Sequence, residues 1–180
     1  MTPPKSIVKK NIEIRFLLEP VRAKKLLALW RKENWKMQPY SFTDYYFKGT
    51  RSSVKIRKWR TPHTPKTEII FYRRRFGVKT ERSKAVSNLR RAMKELEALG
   101  FKPHMKIAKE KAWLVSKKGE PTYALEHVPG LGWTGEIEVA TANRTSIPRL
   151  KENLRRMGAA RITRKSILEL MEEKLKVGLS

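Results

Sequence analysis

Two short stretches with strict alternation constrain this chain more than any other feature. The stretch Thr134-Gly135-Glu136-Ile137-Glu138-Val139 places two carboxylates on one face of a strand and two apolar side chains on the other. The stretch Asn11-Ile12-Glu13-Ile14-Arg15-Phe16 alternates in the same way near the N-terminus. Each stretch therefore predicts a strand with one charged face and one apolar face. If such strands face each other inside a closed sheet, their acids converge on one polar cavity; the alternative is a charged face in solvent.

The remaining patterns predict about eight strands interrupted by helices, mostly antiparallel because the connections are short. Pro20 opens a helix, Asn88 is an N-cap, Ser146 caps a third helix, and the last helix runs from about Thr163 to Leu175. Residues 34–40 are expected to form a connection. The sequence thus predicts an α+β, barrel-like chain that forms a single domain over residues 1–180.

Net charge is the most unusual compositional feature. Forty-two Lys and Arg against 17 Asp and Glu give a net charge of +25 over 180 residues. A surface of this kind attracts polyanions such as nucleic acid, polyphosphate or nucleotides. The alternative is a basic surface that serves only solubility.

Other compositional features predict where the protein resides. The chain has no cysteine, which excludes disulfides and thiolate metal sites and fits a cytoplasmic protein. Its apolar runs are short, so we expect no membrane span, and the N-terminus lacks the apolar core of a secretory signal. A charged fraction of 33% with a single glutamine suggests a thermophile.

Charged side chains share one face on several of the predicted strands. Lys55 and Arg57 form a basic pair on one strand, and Lys109 and Lys111 form a second basic pair. Glu136 and Glu138 form an acidic pair on a third strand. The strand that carries Lys55 and the strand that carries Glu136 are both apolar on the opposite face. For any one strand taken alone, a solvated outer face is the more usual explanation of the alternation. The combination of basic and acidic strands across the chain is what makes a lined cavity worth testing.

These motifs, taken in order, resemble the CYTH domain, or triphosphate tunnel metalloenzyme, superfamily, and look most like archaeal class IV adenylyl cyclase-like proteins. Asn11-Ile12-Glu13-Ile14-Arg15 stands where the family has Glu-x-Glu-x-Lys, and Val54-Lys55-Ile56-Arg57 resembles its Leu-Arg-Ile-Arg strand. Ile107-Ala108-Lys109-Glu110-Lys111 resembles its Val-x-Lys-x-Arg element, and Glu136-Ile137-Glu138 its Glu-Ile-Glu. Further similar segments are Asp44-Tyr45-Tyr46-Phe47, Phe71-Tyr72-Arg73, Leu99-Gly100-Phe101 and Lys165-Ser166-Ile167-Leu168-Glu169-Leu170.

The resemblance implies a closed or nearly closed antiparallel eight-stranded β tunnel with flanking helices that holds a triphosphate. Basic side chains would bind the phosphate oxygens, and glutamates would hold Mg²⁺ or Mn²⁺. The implied phosphate-binding residues are Arg15, Lys55, Arg57, Arg73, Lys109, Lys111 and Lys165. The implied metal ligands are Glu13, Glu136 and Glu138, and Arg15 and Glu136 are the implied catalytic pair. The metal would polarise a phosphorus centre and activate the attacking oxygen.

This chain departs from the family pattern at several positions. Asn11 replaces the first signature acid, and Ser83 and Ala85 replace acids of the fifth strand, where Glu81 remains. Arg15 replaces the lysine, and a guanidinium cannot transfer a proton because its pKa stays above about 12. Seven bases then face three acids, so we expect either a bound anion or an open, wet tunnel.

Two functions follow from these observations. The first is a metal-dependent phosphohydrolase or nucleotide cyclase acting on ATP, tripolyphosphate or a similar triphosphate, with a weakened metal site. The alternative is a catalytically silent CYTH-like protein that binds RNA, as part of the ribosome or another ribonucleoprotein, through its basic exterior. The candidate RNA contacts are Lys9, Lys10, Lys24, Lys25, Arg31, Lys58, Arg60, Arg74, Arg75, Arg90, Arg91, Arg155, Arg156, Arg161 and Arg164. The oligomeric state does not follow from the sequence.

Overall fold

The structure is a computed structural model that describes residues 7–49, 53–60, 66–75 and 78–177. The strands are β1 (Ile7–Leu18), β2 (Lys36–Lys48), β3 (Ser53–Trp59), β4 (Thr67–Arg75), β5 (Val78–Val86), β6 (Lys102–Ser116), β7 (Tyr123–Val128), β8 (Gly132–Ala140) and β9 (Arg161–Thr163). The helices are α1 (Pro20–Lys32), α2 (Leu89–Ala98), α3 (Ile147–Arg156) and α4 (Ile167–Val177), and a short 3₁₀ segment, Thr141–Ser146, precedes α3.

The strands form one sheet with the order β5-β4-β3-β2-β6-β7-β8-β1-β9. A further antiparallel pairing joins β1 to β5, so the first eight strands close into a ring. Strand β1 uses residues 7–11 for β5 and Arg15–Leu17 for β9. The predicted fold class is therefore confirmed: α+β, with a closed eight-stranded antiparallel sheet and flanking helices.

Contacts between Cα atoms divide the chain into two compact units. Unit 1 contains residues 1–11 and 41–108, and unit 2 contains residues 12–40 and 109–180. Strands β1, β2 and β6 each contribute residues to both units. The single domain over residues 1–180 stays a prediction.

In unit 1, helix α2 covers the apolar face of the sheet. Val54 and Ile56 of β3 are fully buried there and belong to one core cluster with Ala92 and Leu96 of α2. The helix starts where Asn88 accepts a hydrogen bond from the backbone N–H of Arg91, as the sequence predicted for an N-cap. Because the helix takes the apolar face, the charged side chains of β3 point to the other face of the sheet.

In unit 2, helix α1 packs against strands β7 and β8. Trp30 of α1 contacts the rings of Trp35 and Tyr123, at centroid distances of 5.9 and 5.5 Å. The fully buried ring of Phe16 lies directly over Gly135, in the space that a Cβ atom would need. Across the ranges that the structure describes, no helix combines the length and the apolar character needed to cross a membrane.

Three local predictions are wrong. Residues 36–40 extend strand β2 and do not form a connection. Ser146 has helical dihedral angles and its hydroxyl donates to the Asn143 carbonyl, so it does not cap α3. The last helix begins at Ile167, because residues 161–163 form strand β9 on the edge of β1. Pairing with distant strands decided the first and third cases, and local patterns do not contain that information.

Candidate functional site: two buried charge clusters

A buried carboxylate organises the charged face of unit 1. Asp44 of β2 is fully buried and lies opposite Arg57 in the register with β3. Arg57 donates from Nε to Asp44 Oδ1 at 2.8 Å and from its NH2 nitrogen to Oδ2 at 2.9 Å. Lys55 Nζ donates to the same Oδ2 at 2.9 Å. One carboxylate thus holds two cations through charge-assisted hydrogen bonds.

Lys79 and Glu81 of β5 complete this group, which we call the Asp44 cluster (Asp44, Lys55, Arg57, Lys79 and Glu81). Lys79 Nζ lies 2.9 Å from Glu81 Oε1. The cluster contains three cations and two carboxylates. Burial raises the pKa of Glu81, but the charges of Lys79 and Lys55 outweigh it and hold that pKa below its usual value. Within the cluster as defined, the cations outnumber the carboxylates by one, and Glu68, a further buried acid, lies opposite Arg57 in the register with β4.

The pKa of Lys55 is lowered by its burial and by neighbouring positive charge. Lys55 is 6% exposed, and burial is the largest effect on its pKa. The positive charge of Arg57 acts in the same direction and Asp44 opposes both, so the pKa falls to about 8. An additional negative charge beside Lys55 would therefore be favourable.

Aromatic rings fix the two cations in place. The guanidinium carbon of Arg57 lies 3.7 Å from the centroid of the Phe42 ring, with Trp59 at 5.3 Å on the same strand. Lys55 Nζ lies 5.6 and 6.0 Å from the rings of Tyr46 and Tyr72. These rings restrict the two side chains and contribute cation–π attraction, so the cations are held in a preformed arrangement.

Asn11 stands where the family resemblance expects the first signature acid. It pairs with Lys79 in the register between β1 and β5 and is 7% exposed. Its Oδ1 atom accepts no hydrogen bond from any described protein group. An amide at this position brings no negative charge, so Asn11 leaves the positive excess of the Asp44 cluster unchanged.

The second group lies in unit 2, and we call it the Arg15 cluster (Glu13, Arg15, Tyr40, Lys109, Glu126 and Glu136). The NH2 nitrogen of Arg15 donates to Glu13 Oε1 at 2.6 Å and also to Glu136 Oε2. Its NH1 nitrogen lies 3.8 Å from Glu126 Oε2. Three carboxylates from strands β1, β7 and β8 therefore surround one guanidinium.

Two more donors hold Glu126. Lys109 Nζ donates to it at 2.7 Å, and the hydroxyl of Tyr40 donates to Oε1 at 2.7 Å. Burial raises the pKa of Glu126, but Lys109 and Arg15 outweigh it and hold the pKa below its usual value. For Arg15, burial alone would lower the pKa. The carboxylates of Glu136, Glu13 and Glu126 outweigh burial and together raise the pKa of Arg15 above its ordinary value. Arg15 and Glu126 are therefore both ionised at neutral pH.

A divalent metal does not fit the Arg15 cluster as it is arranged. Of the implied ligands, Glu13 and Glu136 both hydrogen-bond to Arg15, and Glu138 is exposed on β8. Among the described side chains, no three His, Cys, Asp or Glu residues are grouped so as to hold a metal ion. A cation that prefers several carboxylate oxygens would have to displace the guanidinium first. The carboxylate oxygens of Glu13 and Glu136 therefore hold a guanidinium in this arrangement.

The structure divides the predicted site residues into three groups. Lys55 and Arg57 belong to the Asp44 cluster, and Glu13, Arg15, Lys109 and Glu136 belong to the Arg15 cluster. Four others are exposed and lie in neither cluster: Arg73, Lys111, Glu138 and Lys165. Lys165 pairs with Glu173 of α4, and Lys111 lies opposite His127 on β7. Of the two positions that lack the family's acids, Ser83 is half-buried and Ala85 is exposed.

Five residues of the clusters were not predicted as site residues from the sequence: Asp44, Lys79 and Glu81 in unit 1, and Tyr40 and Glu126 in unit 2. Asp44 is part of a quoted motif, but its role depends on lying opposite Arg57 across two strands. Glu126 precedes the turn before β8, and its partners come from β2, β6 and β1. Both residues are acids at inward positions of a strand, which is a weak signal in the sequence.

The fold and these clusters define a closed-sheet protein with buried charge on the polar face of its strands. The family model of the CYTH domain matches residues 9–169. The chain therefore belongs to the CYTH domain family, the family of triphosphate tunnel proteins that the sequence resembles. No curated protein matches the chain significantly.

Several solved structures share the fold. A protein from Pyrococcus horikoshii OT3 is 21% identical with a TM-score of 0.75, and the match covers 91% of this chain and 99% of that one. A putative adenylate cyclase from Vibrio parahaemolyticus is 14% identical with a TM-score of 0.65, covering 91% and 98%. A putative adenylyl cyclase from Hippeastrum with a dominant triphosphatase activity is 13% identical with a TM-score of 0.61, covering 91% and 95%. At these identities the similarity establishes the fold alone.

Proposed function

We propose that this protein binds an oligophosphate, with a triphosphate as the preferred ligand. The observation that supports the proposal is the Asp44 cluster, where Lys55, Arg57 and Lys79 share the counter-charge of Asp44 and Glu81. Phosphate oxygens would add negative charge beside these cations and accept hydrogen bonds from the ammonium and guanidinium groups. Membership of the CYTH family favours a triphosphate over other anions.

The energetics favour an anion because the cations are already desolvated. Their burial was completed on folding, so the ligand gains electrostatic attraction without a further ordering cost for Lys55 or Arg57. A ligand with several adjacent phosphates gains more than inorganic phosphate, since each phosphate adds negative charge near fixed cations. We therefore expect affinity to rise from phosphate to pyrophosphate to tripolyphosphate.

Isothermal titration calorimetry with tripolyphosphate and ATP tests this function. Lys55→Met is expected to lower the affinity at least about tenfold, the equivalent of one lost charge-assisted contact. Lys58→Met is the matched control, because Lys58 lies on the same strand but is exposed. Equal affinities for the wild type and Lys55→Met, or no binding of any oligophosphate, would contradict the proposal.

Turnover of the bound triphosphate is the activity that the family resemblance implies, as a triphosphatase or a class IV adenylyl cyclase-like enzyme that uses Mg²⁺ or Mn²⁺. We place binding ahead of turnover in this chain because Arg15 holds Glu13 and Glu136, the two acids that a metal would need. Assays of ATP, thiamine triphosphate and tripolyphosphate with each metal test this order. Metal-dependent turnover in the wild type that is lost in Glu136→Gln would place catalysis ahead of binding.

RNA binding is the second candidate, and the exposed basic side chains favour it. Lys24, Lys25 and Arg31 are exposed on α1, and Arg155 and Arg156 are exposed on α3. Together with the net charge of +25, this surface predicts RNA affinity that falls steeply with salt. Binding to single-stranded RNA at several salt concentrations tests it. Binding should persist in Glu136→Gln and weaken in a Lys24→Gln/Lys25→Gln variant.

A further inference from the structure

The Arg15 cluster has the composition of a cation site that is already filled. Glu13 and Glu136 both accept hydrogen bonds from one nitrogen of Arg15, and Glu126 lies next to another. The guanidinium thus lies among carboxylates from three different strands. This is the position in which a divalent cation would gain most from the same oxygens.

Arg15 and a divalent cation cannot share these carboxylates. A guanidinium and a divalent cation a few ångströms apart repel each other strongly where little water screens their charges. A lysine could relieve the repulsion by losing its proton, but a guanidinium remains charged in proteins. Arg15 is 3% exposed, so moving it aside would leave a buried cation without its counter-charges.

Two nitrogens of the guanidinium make no hydrogen bond with a described protein group. The Nε and NH1 nitrogens of Arg15 are buried, and neither donates a hydrogen bond to any described protein group. Buried donors of this kind are normally satisfied, so an oxygen acceptor is expected beside them. The NH2 nitrogen donates to Glu13 and Glu136, whereas Nε and NH1 keep unused donor capacity, with NH1 3.8 Å from Glu126 Oε2.

We propose that Arg15 replaces the divalent cation in this protein by pairing with Glu13 and Glu136 through its NH2 nitrogen. The inference rests on the proposed function and specifies the form of its ligand. The protein binds the free oligophosphate anion and not its magnesium complex. Glu13 and Glu136 act as positioning residues for Arg15.

Direct metal binding tests the first half of the proposal. Titration of the wild type with Mn²⁺, followed by the electron paramagnetic resonance of the free ion, should show no site tighter than about 1 mM. Arg15→Gln, which removes the charge, should bind one Mn²⁺ at least about tenfold more tightly than the wild type. The gain should disappear in Arg15→Gln/Glu136→Gln. Arg155→Gln is the matched control, since Arg155 is exposed on α3.

The wild-type titration does not depend on Arg15→Gln and so decides the metal question even if that variant does not fold. A tight Mn²⁺ site in the wild type that Glu136→Gln removes would overturn the proposal. Circular dichroism and the melting temperature of Arg15→Gln check its fold. A folded Arg15→Gln that gains no Mn²⁺ affinity would show that the acids are not a latent metal site, and would also overturn it.

Tripolyphosphate titrations with EDTA and with excess Mg²⁺ test the second half. We expect binding in EDTA, and weaker apparent binding with Mg²⁺ because the metal sequesters the free anion. Binding that requires Mg²⁺ would overturn this inference and leave the proposed function standing. Absence of binding in both conditions would refute the proposed function, and the Mn²⁺ titration would then decide the role of Arg15 alone.

Discussion

Asp44 and Arg57 lie directly opposite each other on β2 and β3 and form a two-pronged ion pair, with nitrogen–oxygen distances of 2.8 and 2.9 Å. The same carboxylate also holds Lys55. A single buried acid thus keeps two buried cations in position. Any ligand that binds near these cations meets side chains whose orientation is set before it arrives.

Removing the charge of Asp44 should destabilise the fold. Asp44→Asn leaves Lys55 and Arg57 buried with too little counter-charge, and breaking a buried pair from one side costs about 3–5 kcal/mol. Urea denaturation at pH 7 measures the loss. Glu152→Gln is the control: Glu152 is exposed and pairs with Arg155, so its loss should cost less than about 1 kcal/mol. A cost for Asp44→Asn as small as that of the control would contradict the buried pairing.

The stability of the wild type should rise in alkaline solution because of Lys55. Its pKa is lowered from 10.5 to about 8 in the folded state, so between these values the unfolded chain binds more protons. The free energy of unfolding therefore increases as the pH rises from about 8 to 10.5, by roughly 1–3 kcal/mol. Lys55→Met should lack this contribution. The difference between the two unfolding curves across this range isolates it, and a constant difference would refute it.

Binding of tripolyphosphate should take up protons at pH 8. An anion beside Lys55 favours the ammonium form and raises its pKa, so the complex gains up to about half a proton at this pH. Below pH 7 the uptake from Lys55 should disappear because the free protein is already protonated there. Calorimetry in buffers of different ionisation enthalpy measures the uptake. Lys55→Arg keeps the charge and does not titrate, so subtracting its result corrects for protons exchanged by the ligand itself.

The exposed bases should matter little for oligophosphate binding. Arg73, Lys111 and Lys165 lie in neither buried cluster, and water and salt screen their charges. Changing any one of them to Met should alter the affinity for tripolyphosphate by less than about twofold. Calorimetry beside Lys55→Met makes the comparison. If Lys111→Met lost as much affinity as Lys55→Met, burial would not distinguish binding residues from surface residues.

Gly135 should resist substitution because of its contact with Phe16. A Cβ atom at position 135 would overlap the Phe16 ring, so Gly135→Ala should cost about 1–3 kcal/mol of stability. Combining it with Phe16→Leu should cost less than the sum of the two single changes, since the smaller side chain makes room. Gly119→Ala serves as control, because it meets no atom within 4 Å and suffers only from its φ of +83°. Urea denaturation separates the two causes.

Alternation along a strand predicts which face a side chain takes, but not how deeply it lies. The sequence placed Glu136 and Glu138 on one face of a strand, and the structure buries much of the first and exposes the second. Lys109 and Lys111 differ in the same way. Depth depends on where neighbouring strands end and which helices cover them, and that information is absent from a local pattern.

The sequence also could not show which charged side chains form hydrogen bonds or ion pairs with one another. Glu13 and Glu136 were expected to hold a metal, and Arg15 was expected to bind phosphate. Arg15 and Glu136 are 121 positions apart, and their hydrogen bond depends on packing between distant strands. The fold, in contrast, was predictable, because the order and spacing of many weak motifs agree with one another even where single motifs depart from the family pattern.

The pairing of strand β1 has a consequence for the order of folding. Its partners lie far along the chain, in β5 from residue 78, β8 from residue 132 and β9 from residue 161. During synthesis β1 leaves the ribosome before β5, β8 and β9, so its pairing has to wait until they emerge. Contacts of such long sequence separation slow folding, so closure of the sheet is expected to limit its rate. Until β9 has been made, the segment that carries Arg15 presents an open edge to which a chaperone or another chain can bind.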